Sequence, residues 1–246
     1  MLAGEWISLY RDFVSIIPKP RVLILETSGR CGQVALAGGD ELLGFRQLDE
    51  ARRHARDLAP ALAELLAEQA WKALELDVVL VSRGPGSYTG LRVGIMSAKM
   101  LAYATGCVLL GIDTFAAIAQ QAPDDITCLD VLADAQQGKV YVQSFLRGNG
   151  GLLSPVTALT IQRFEDWRAS RDATAWATGP AMATIVQQLP EDIPVVPTAD
   201  WDPRSESLLA LGLPRYRAGE RDDPWRLEPL YLRPSAAEEQ WQRRAQ

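Results

Sequence analysis

A chain of 246 residues is long enough for one large domain or two small ones and can bury most of its apolar surface. With 48% apolar, 23% charged and 7% aromatic residues, its composition is that of a folded globular protein, not a disordered, collagen-like or disulfide-rich one. A net charge of −6 and a pI near 5.0 exclude a chain that captures nucleic acid by electrostatics alone.

Two scarcities narrow the chemistry further. The single histidine, His54, and three widely spaced cysteines, Cys31, Cys107 and Cys128, supply no local ligand set for zinc. Ser-His-Asp or Cys-His catalysis then stands only if His54 is the base. No CxxC pair occurs and three cysteines cannot all pair, which points to a reducing compartment, the cytoplasm.

Residues 1–20 carry Trp6, Leu9, Tyr10, Phe13, Ile16 and Ile17 at helical spacing, with Glu5, Arg11 and Asp12 interrupting any secretory apolar core. Pro18 and Pro20 end the pattern. An amphipathic helix docking on its own domain or on a partner is expected, and its polar face lacks the Lys and Arg excess of a membrane-surface helix. No segment reads as a membrane span, because the longest charge-free run, 173–190, is broken by Thr, Gly, Pro and Gln.

Residues 21–26, 33–37 and 41–48 read as strands of an antiparallel meander joined by Gly-containing turns. Leu58, Leu62, Leu65 and Leu66 give 54–71 a helical period. A buried strand at 77–82, a glycine-rich turn, a helix at 91–105 and a strand at 107–112 follow. The pattern then restarts. A short helix capped by Thr114 runs to 121, and strands at 126–133 and 139–145 flank the turn 134–138. A third strand at 152–159, helices at 161–169 and 181–189, and strands at 174–178 and 193–196 complete it. The repetition predicts an α/β chain of two similar lobes, 21–112 and 113–220, with a ligand cleft between them. Residues 221–246 are expected to dock back on the body as a tail, with 228–233 extended and 236–246 a polar helix.

The strongest local signal is Gly84-Pro85-Gly86-Ser87-Tyr88-Thr89-Gly90-Leu91-Arg92, set between a buried strand and a helix. Its glycines permit positive φ or close backbone approach, Pro85 restrains the turn, and Ser87 or Thr89 can cap the helix. Free N–H groups at a helix start also suit an anion, so a phosphate site and a tight structural turn both fit. The motif is neither a Walker A loop nor a nucleophile elbow. A second signal pairs the turn Glu26-Thr27-Ser28-Gly29 with 134–139. Facing hairpin turns in two-lobed nucleotide-binding folds hold phosphates through N–H groups and Mg²⁺ through an acid. Glu26, Thr27, Asp134 and Gly138 are therefore candidates for a weak nucleotide cleft, against the plain alternative of ordinary turn chemistry. His54 beside Arg52, Arg53 and Arg56 fits a solvated helix end. Leu58, Leu62 and Leu65 with Met96, Met100 and Tyr103 form a candidate two-helix association surface, for which core packing is the alternative.

The ordered series RVLILETS, RRHARDLAP, DVVLVSRGPGSYTGLRVGIMSAKMLA, ADAQQGKVYVQSF and EPLYLR, across 21–234, resembles the TsaB (YeaZ) family of glycoprotease-like proteins. The resemblance implies an actin/Hsp70/sugar-kinase-like (ASKHA) fold. It also implies a part in forming N6-threonylcarbamoyladenosine at position 37 of tRNAs that read codons beginning with A. In that system the paralogue TsaD does the catalytic, metal-binding and nucleotide-binding work. A TsaB-type chain is its non-catalytic partner, pairs with itself when alone, works with the ATPase TsaE, and meets tRNA through the complex. The dimerising helices map here on 54–71 and 91–105. TsaD's metal site uses two helical histidines where this chain has only His54, so no metal site is expected. This chain departs from the family in carrying Glu26-Thr27 where an Asp-Thr pair is usual, and in its residues 1–20. The rival reading is an independent Mg-dependent nucleotide-hydrolysing enzyme with Glu26 and Asp134 at an ATP site. A peptidase finds no catalytic set.

Overall fold

The structure, a computed structural model, describes residues 19–48 and 54–232, and at His54 and Ala55 the backbone alone. The expected helices at 1–20 and 236–246 and the Arg52–Arg53 part of the basic cluster lie outside the described residues, apart from Lys19 and Pro20.

The first lobe is a mixed sheet in the order β3-β2-β1-β4-β5. β1 (Arg21–Glu26), β2 (Gln33–Gly38) and β3 (Glu41–Gln47) form the antiparallel meander, and β4 (Val78–Gly84) and β5 (Val108–Asp113) extend it in parallel from β1. β1 and β4 are nearly continuous apolar runs because helices cover both faces. Leu23, Leu25, Val79 and Val81 pack beneath α1 (His54–Glu68) and α2 (Tyr88–Thr105). On the opposite face Val22, Ile24, Leu80 and Ile112 pack beneath Leu208, Leu209 and Leu213 of the helix Ser205–Arg217, α6.

The helix α6 moves a boundary. Residues 113–220 were expected to belong to the second lobe, but from 205 onward the chain is back on the first, where Gly212 lets α6 lie close against Leu80. The second lobe ends near 204. Its sheet runs β10-β6-β7-β8, from β6 (Cys128–Asp134), β7 (Lys139–Arg147), β8 (Leu153–Pro155) and β10 (Trp176–Thr178), while β9 (Thr160–Arg163) also pairs with β7. A hairpin with a parallel strand beside its first member repeats the β4-β1-β2-β3 order of the first lobe, so the two lobes share one plan.

Several local expectations shift. α2 begins at Tyr88 rather than 91, because Ser87 Oγ accepts from Gly90 N (3.2 Å) as its N-cap. It ends at Gly106, whose φ of 76° is the left-handed stop. Thr114 opens α3 (Thr114–Ala119) but does not cap it, since its buried hydroxyl has no partner. The strand 152–159 divides into β8 and β9. The helix 161–169 is α4 (Phe164–Ser170), and 181–189 shortens to α5 (Met182–Ile185) plus a 3₁₀ turn. The strand at 193–196 is a single bridge, Ala177 to Val195.

After α6 the tail lies along the outer edge of β5. Asp222 N donates to Leu109 O (2.8 Å), and Asp222 Oδ2 accepts from Gly111 N (2.8 Å), so one residue occupies the edge as a strand would. Leu227 is buried in the first lobe's core, and Leu230 N donates to Arg83 O (2.7 Å). Among the described residues no helix is long and apolar enough to cross a membrane.

Candidate functional site: a sealed cleft floor and an exposed helix face

The glycine-rich motif is placed by its contacts with the end of β1. Gly86, Gly90 and Gly94 recur every four residues and all meet the Thr27–Ser28 backbone or side chains. A Cβ at Gly86 would lie 2.6 Å from Ser28 O, and Cβ atoms at Gly90 and Gly94 would come closer still to Thr27 O and Thr27 Oγ1. Ser87 N donates to Ser28 O (2.8 Å), and the Ser87 hydroxyl takes Gly90 N. Two N–H groups that an anion would need at this helix start are therefore engaged inside the protein. Of the two readings open for the motif, the geometry favours the tight structural turn.

Glu26 is fully buried. Its Oε1 accepts from Ser28 N (2.6 Å), Ser28 Oγ (2.5 Å) and Gly29 N (3.3 Å), while Oε2 has no partner. Burial pushes its carboxyl up to about 7 against the lowering effect of the Ser28 bonds. The carboxylate thus turns back on its own turn and engages the backbone N–H groups of Ser28 and Gly29.

The floor is also covered. Residues 200–207 are clasped by two amides. Gln33 Oε1 accepts from Ser205 N (3.0 Å) and Ser205 Oγ (2.9 Å). Gln121 Nε2 donates to Asp202 O (2.9 Å) and Asp200 O (3.2 Å), and its Oε1 accepts from Arg204 N (2.9 Å) and Ser207 Oγ (3.0 Å). Pro203 and Asp202 consequently lie against Gly29, and burial raises the Asp202 carboxyl.

Asp134 and Gly138 belong to the second lobe. Asp134 is exposed at the β6–β7 turn and accepts from Gln136 N (2.7 Å), and Gln136, Gln137 and Gly138 take φ of 63°, 56° and 71°. Glu26 and Asp134 each take their hydrogen bonds within their own neighbourhood, and among the described residues no group of three metal-ligating side chains forms. A Mg²⁺–nucleotide does not fit Glu26, Thr27, Asp134 and Gly138 as the structure holds them: the first acid has no open face and its turn's donors are taken. A hollow of about 730 Å³ opens instead between β3 and α1, beside Arg46, Arg56, Asp57 and Glu64.

The association residues divide. Leu58, Leu62 and Leu65 are 4%, 8% and 0% exposed and hold α1 on the sheet, so they are core and not contact residues. Met96, Met100 and Tyr103 are 55%, 67% and 77% exposed, on the side of α2 opposite Leu91, Ile95, Ala98 and Ala102. The tail enlarges this face in a way the sequence reading missed. Trp225, 79% exposed, meets Tyr103 edge-on (ring centroids 5.9 Å apart). Tyr231 stacks on Tyr88 (4.9 Å), and the Arg92 guanidinium lies 4.1 Å from the Tyr88 ring while its Nε donates to the Tyr231 hydroxyl (3.1 Å). The EPLYLR segment was visible as a motif, but nothing in it names α2 as the surface it meets.

Two lobes built on one repeated sheet plan define an actin-like two-lobed protein. A family model described as "TsaD: tRNA N6-adenosine threonylcarbamoyltransferase" matches residues 44–241, and the chain belongs to that family. It is 26% identical over 228 residues to the tRNA threonylcarbamoyladenosine biosynthesis protein TsaB of Bacillus subtilis, covering 89% of this chain and 97% of the relative. The Escherichia coli TsaB is likewise 26% identical over 230 residues, covering 88% and 96%. The solved structure of YeaZ from Pseudomonas aeruginosa superposes with a TM-score of 0.75 at 25% identity, over 87% of this chain and 100% of that one. The likeness to TsaB and YeaZ thus spans nearly the whole chain.

Proposed function

We propose that the chain is a non-catalytic partner subunit in the formation of N6-threonylcarbamoyladenosine at position 37 of tRNA, and that it pairs with a TsaD-type protein through the outer face of α2. The observation that carries the reading is the outward stripe of Met96, Met100 and Tyr103 on a helix whose other side is core. The sealed environment of Glu26 supports it, because catalysis in a nucleotide cleft has no open carboxylate there to use. In this reading the chain acts in the cytoplasm, pairs with itself in the absence of TsaD, works beside the ATPase TsaE, and touches tRNA through the assembled complex. The pairing surface consists of Met96, Met100 and Tyr103 with Trp225 beside them; the α1 leucines stay in the core.

Capture of a TsaD-type partner by the tagged chain is the test. Met96→Asp places a charge in the contact and should weaken capture by about 2 kcal/mol or more, roughly 30-fold in Kd, without lowering the melting temperature. Normal capture by Met96→Asp would remove the interface. ATP binding by calorimetry together with Mg²⁺-dependent turnover lost in Asp134→Ala would replace the reading with the nucleotide enzyme.

A further inference from the structure

We propose that Arg92 is the specificity-determining residue of the α2 face. Held in place by Tyr88 and by Tyr231 of the tail, its guanidinium pairs with a carboxylate on the partner, and Lys99, two turns further along, takes a second. The inference rests on the pairing proposed above and adds the charge that the partner must carry.

The helix sets the pattern. At about 100° per residue, Arg92, Lys99 and Tyr103 fall in one narrow stripe, with Met96 and Met100 along one side of it. Arg92 is exposed and Lys99 half-buried. They are the only charged residues among the 18 of α2, which holds no acid. An outward face that is apolar and carries only positive charge fits a partner face that is apolar and carries carboxylates, and it disfavours a basic one. Seven residues rise about 10 Å, so the two carboxylates must lie about two helical turns apart.

Three parts of the chain converge on the Arg92 side chain. Its guanidinium lies 4.1 Å from the centroid of the Tyr88 ring and 5.9 Å from that of Tyr231, and its Nε donates to the Tyr231 hydroxyl (3.1 Å). The two rings stack on each other with centroids 4.9 Å apart. Tyr231 comes from 139 residues along the chain, and the tail fixes its position. Leu227 is buried in the core, and Leu230 N donates to Arg83 O (2.7 Å) immediately before it. The tail lies so close to the motif that a Cβ at Gly84 would be 3.3 Å from Leu230 O. An exposed arginine ordinarily loses rotamer freedom when it pairs, and here the fold has already restricted it. A planar, permanently charged fork held in one orientation suits a carboxylate.

Binding of the purified TsaD-type protein to the full chain, measured at low and at high salt, is the test. Arg92→Met keeps the apolar stem and removes the charge. It should weaken binding about 10-fold or more at low salt and flatten the salt dependence shown by the parent. Tyr231→Phe keeps the stack and removes only the hydroxyl. It should weaken binding several-fold and, in the free chain, speed hydrogen exchange at the Arg92 Nε–H, which a role confined to packing would not do. A carbodiimide, which joins an amine to a carboxylate, should link Lys99 to an Asp or Glu of the partner, and Arg92→Lys should add a link at position 92. Parent-level binding by Arg92→Met, or an equal loss at every salt concentration, would overturn the proposal and leave the pairing face to be judged by Met96→Asp alone. Links only to a second copy of this chain would overturn it as well. Normal binding by Met96→Asp would sink the pairing face itself, and this inference with it.

Discussion

Gly90→Ala adds one methyl group where α2 lies across the end of β1. That methyl would come well inside 3.0 Å of the Thr27 carbonyl oxygen, on a residue that is itself fully buried. Restoring an ordinary contact of about 3.5 Å needs more than about 1 Å of withdrawal by the helix. Leu91, Ile95 and Ala98 on the same side of α2 would move with it and lose packing on the sheet. Overpacking of this kind costs about 1–3 kcal/mol and sometimes more, while Ala gains about 1 kcal/mol over Gly in a helix interior. With a rigid backbone oxygen as the obstacle the upper part of that range applies, and the net loss is about 2 kcal/mol. Urea unfolding followed by circular dichroism should show the midpoint falling by about 1 M. Gly150→Ala, with nothing within 4 Å of its Cβ, is the matched control and should leave the midpoint in place. A Gly90→Ala protein as stable as the parent, or more so, would refute the view that these glycines exist to admit the β1 turn.

The raised carboxyl of Glu26 predicts a pH dependence. Between about 4.5, its ordinary value, and about 7, the folded state keeps a proton that the unfolded chain has lost. Its contribution to stability is complete below that window and declines through it by about 3 kcal/mol, so Glu26→Gln should flatten stability against pH between those limits in denaturant titrations. Asp222→Ala deprives Gly111 N of its acceptor at the β5 edge and should cost about 1–2 kcal/mol, with faster hydrogen exchange at Gly111. Trp167→Phe removes the indole N–H that Asp130 Oδ2 accepts (2.9 Å) in the second lobe, and should cost about 1–3 kcal/mol in thermal unfolding.

The lobes were legible because their strands are continuous apolar runs bounded by glycine turns, and because hairpin, helix and parallel strand recur in the same order in both halves. α6 was not. Its sequence SESLLALGLPRYR holds Gly212 and Pro214, two residues that normally break a helical pattern, and both are tolerated here, Gly212 by close packing on Leu80 and Pro214 near the final turn. Periodicity showed that Leu58, Leu62 and Leu65 share a face, but a period does not say whether a sheet of the same chain or another protein covers it. On α2 the inward side is marked by the small residues Gly90, Gly94, Ala98 and Ala102 at intervals of four, a spacing present in the sequence and easily overlooked beside the larger methionines. The fate of Glu26 depended on contacts no local pattern encodes: Ser82 on β4, whose hydroxyl accepts from Thr27 N (3.2 Å), and the 200–207 segment arriving over Gly29 from far along the chain.

Reconstitution of threonylcarbamoyladenosine formation on tRNA, with the TsaD-type partner and the remaining components present, tests the central claim most directly. The account predicts that modification requires this chain, falls with Met96→Asp in proportion to lost capture, and persists with Asp134→Ala. Full modification with Met96→Asp, or its loss with Asp134→Ala while the partner complex stays intact, would contradict it.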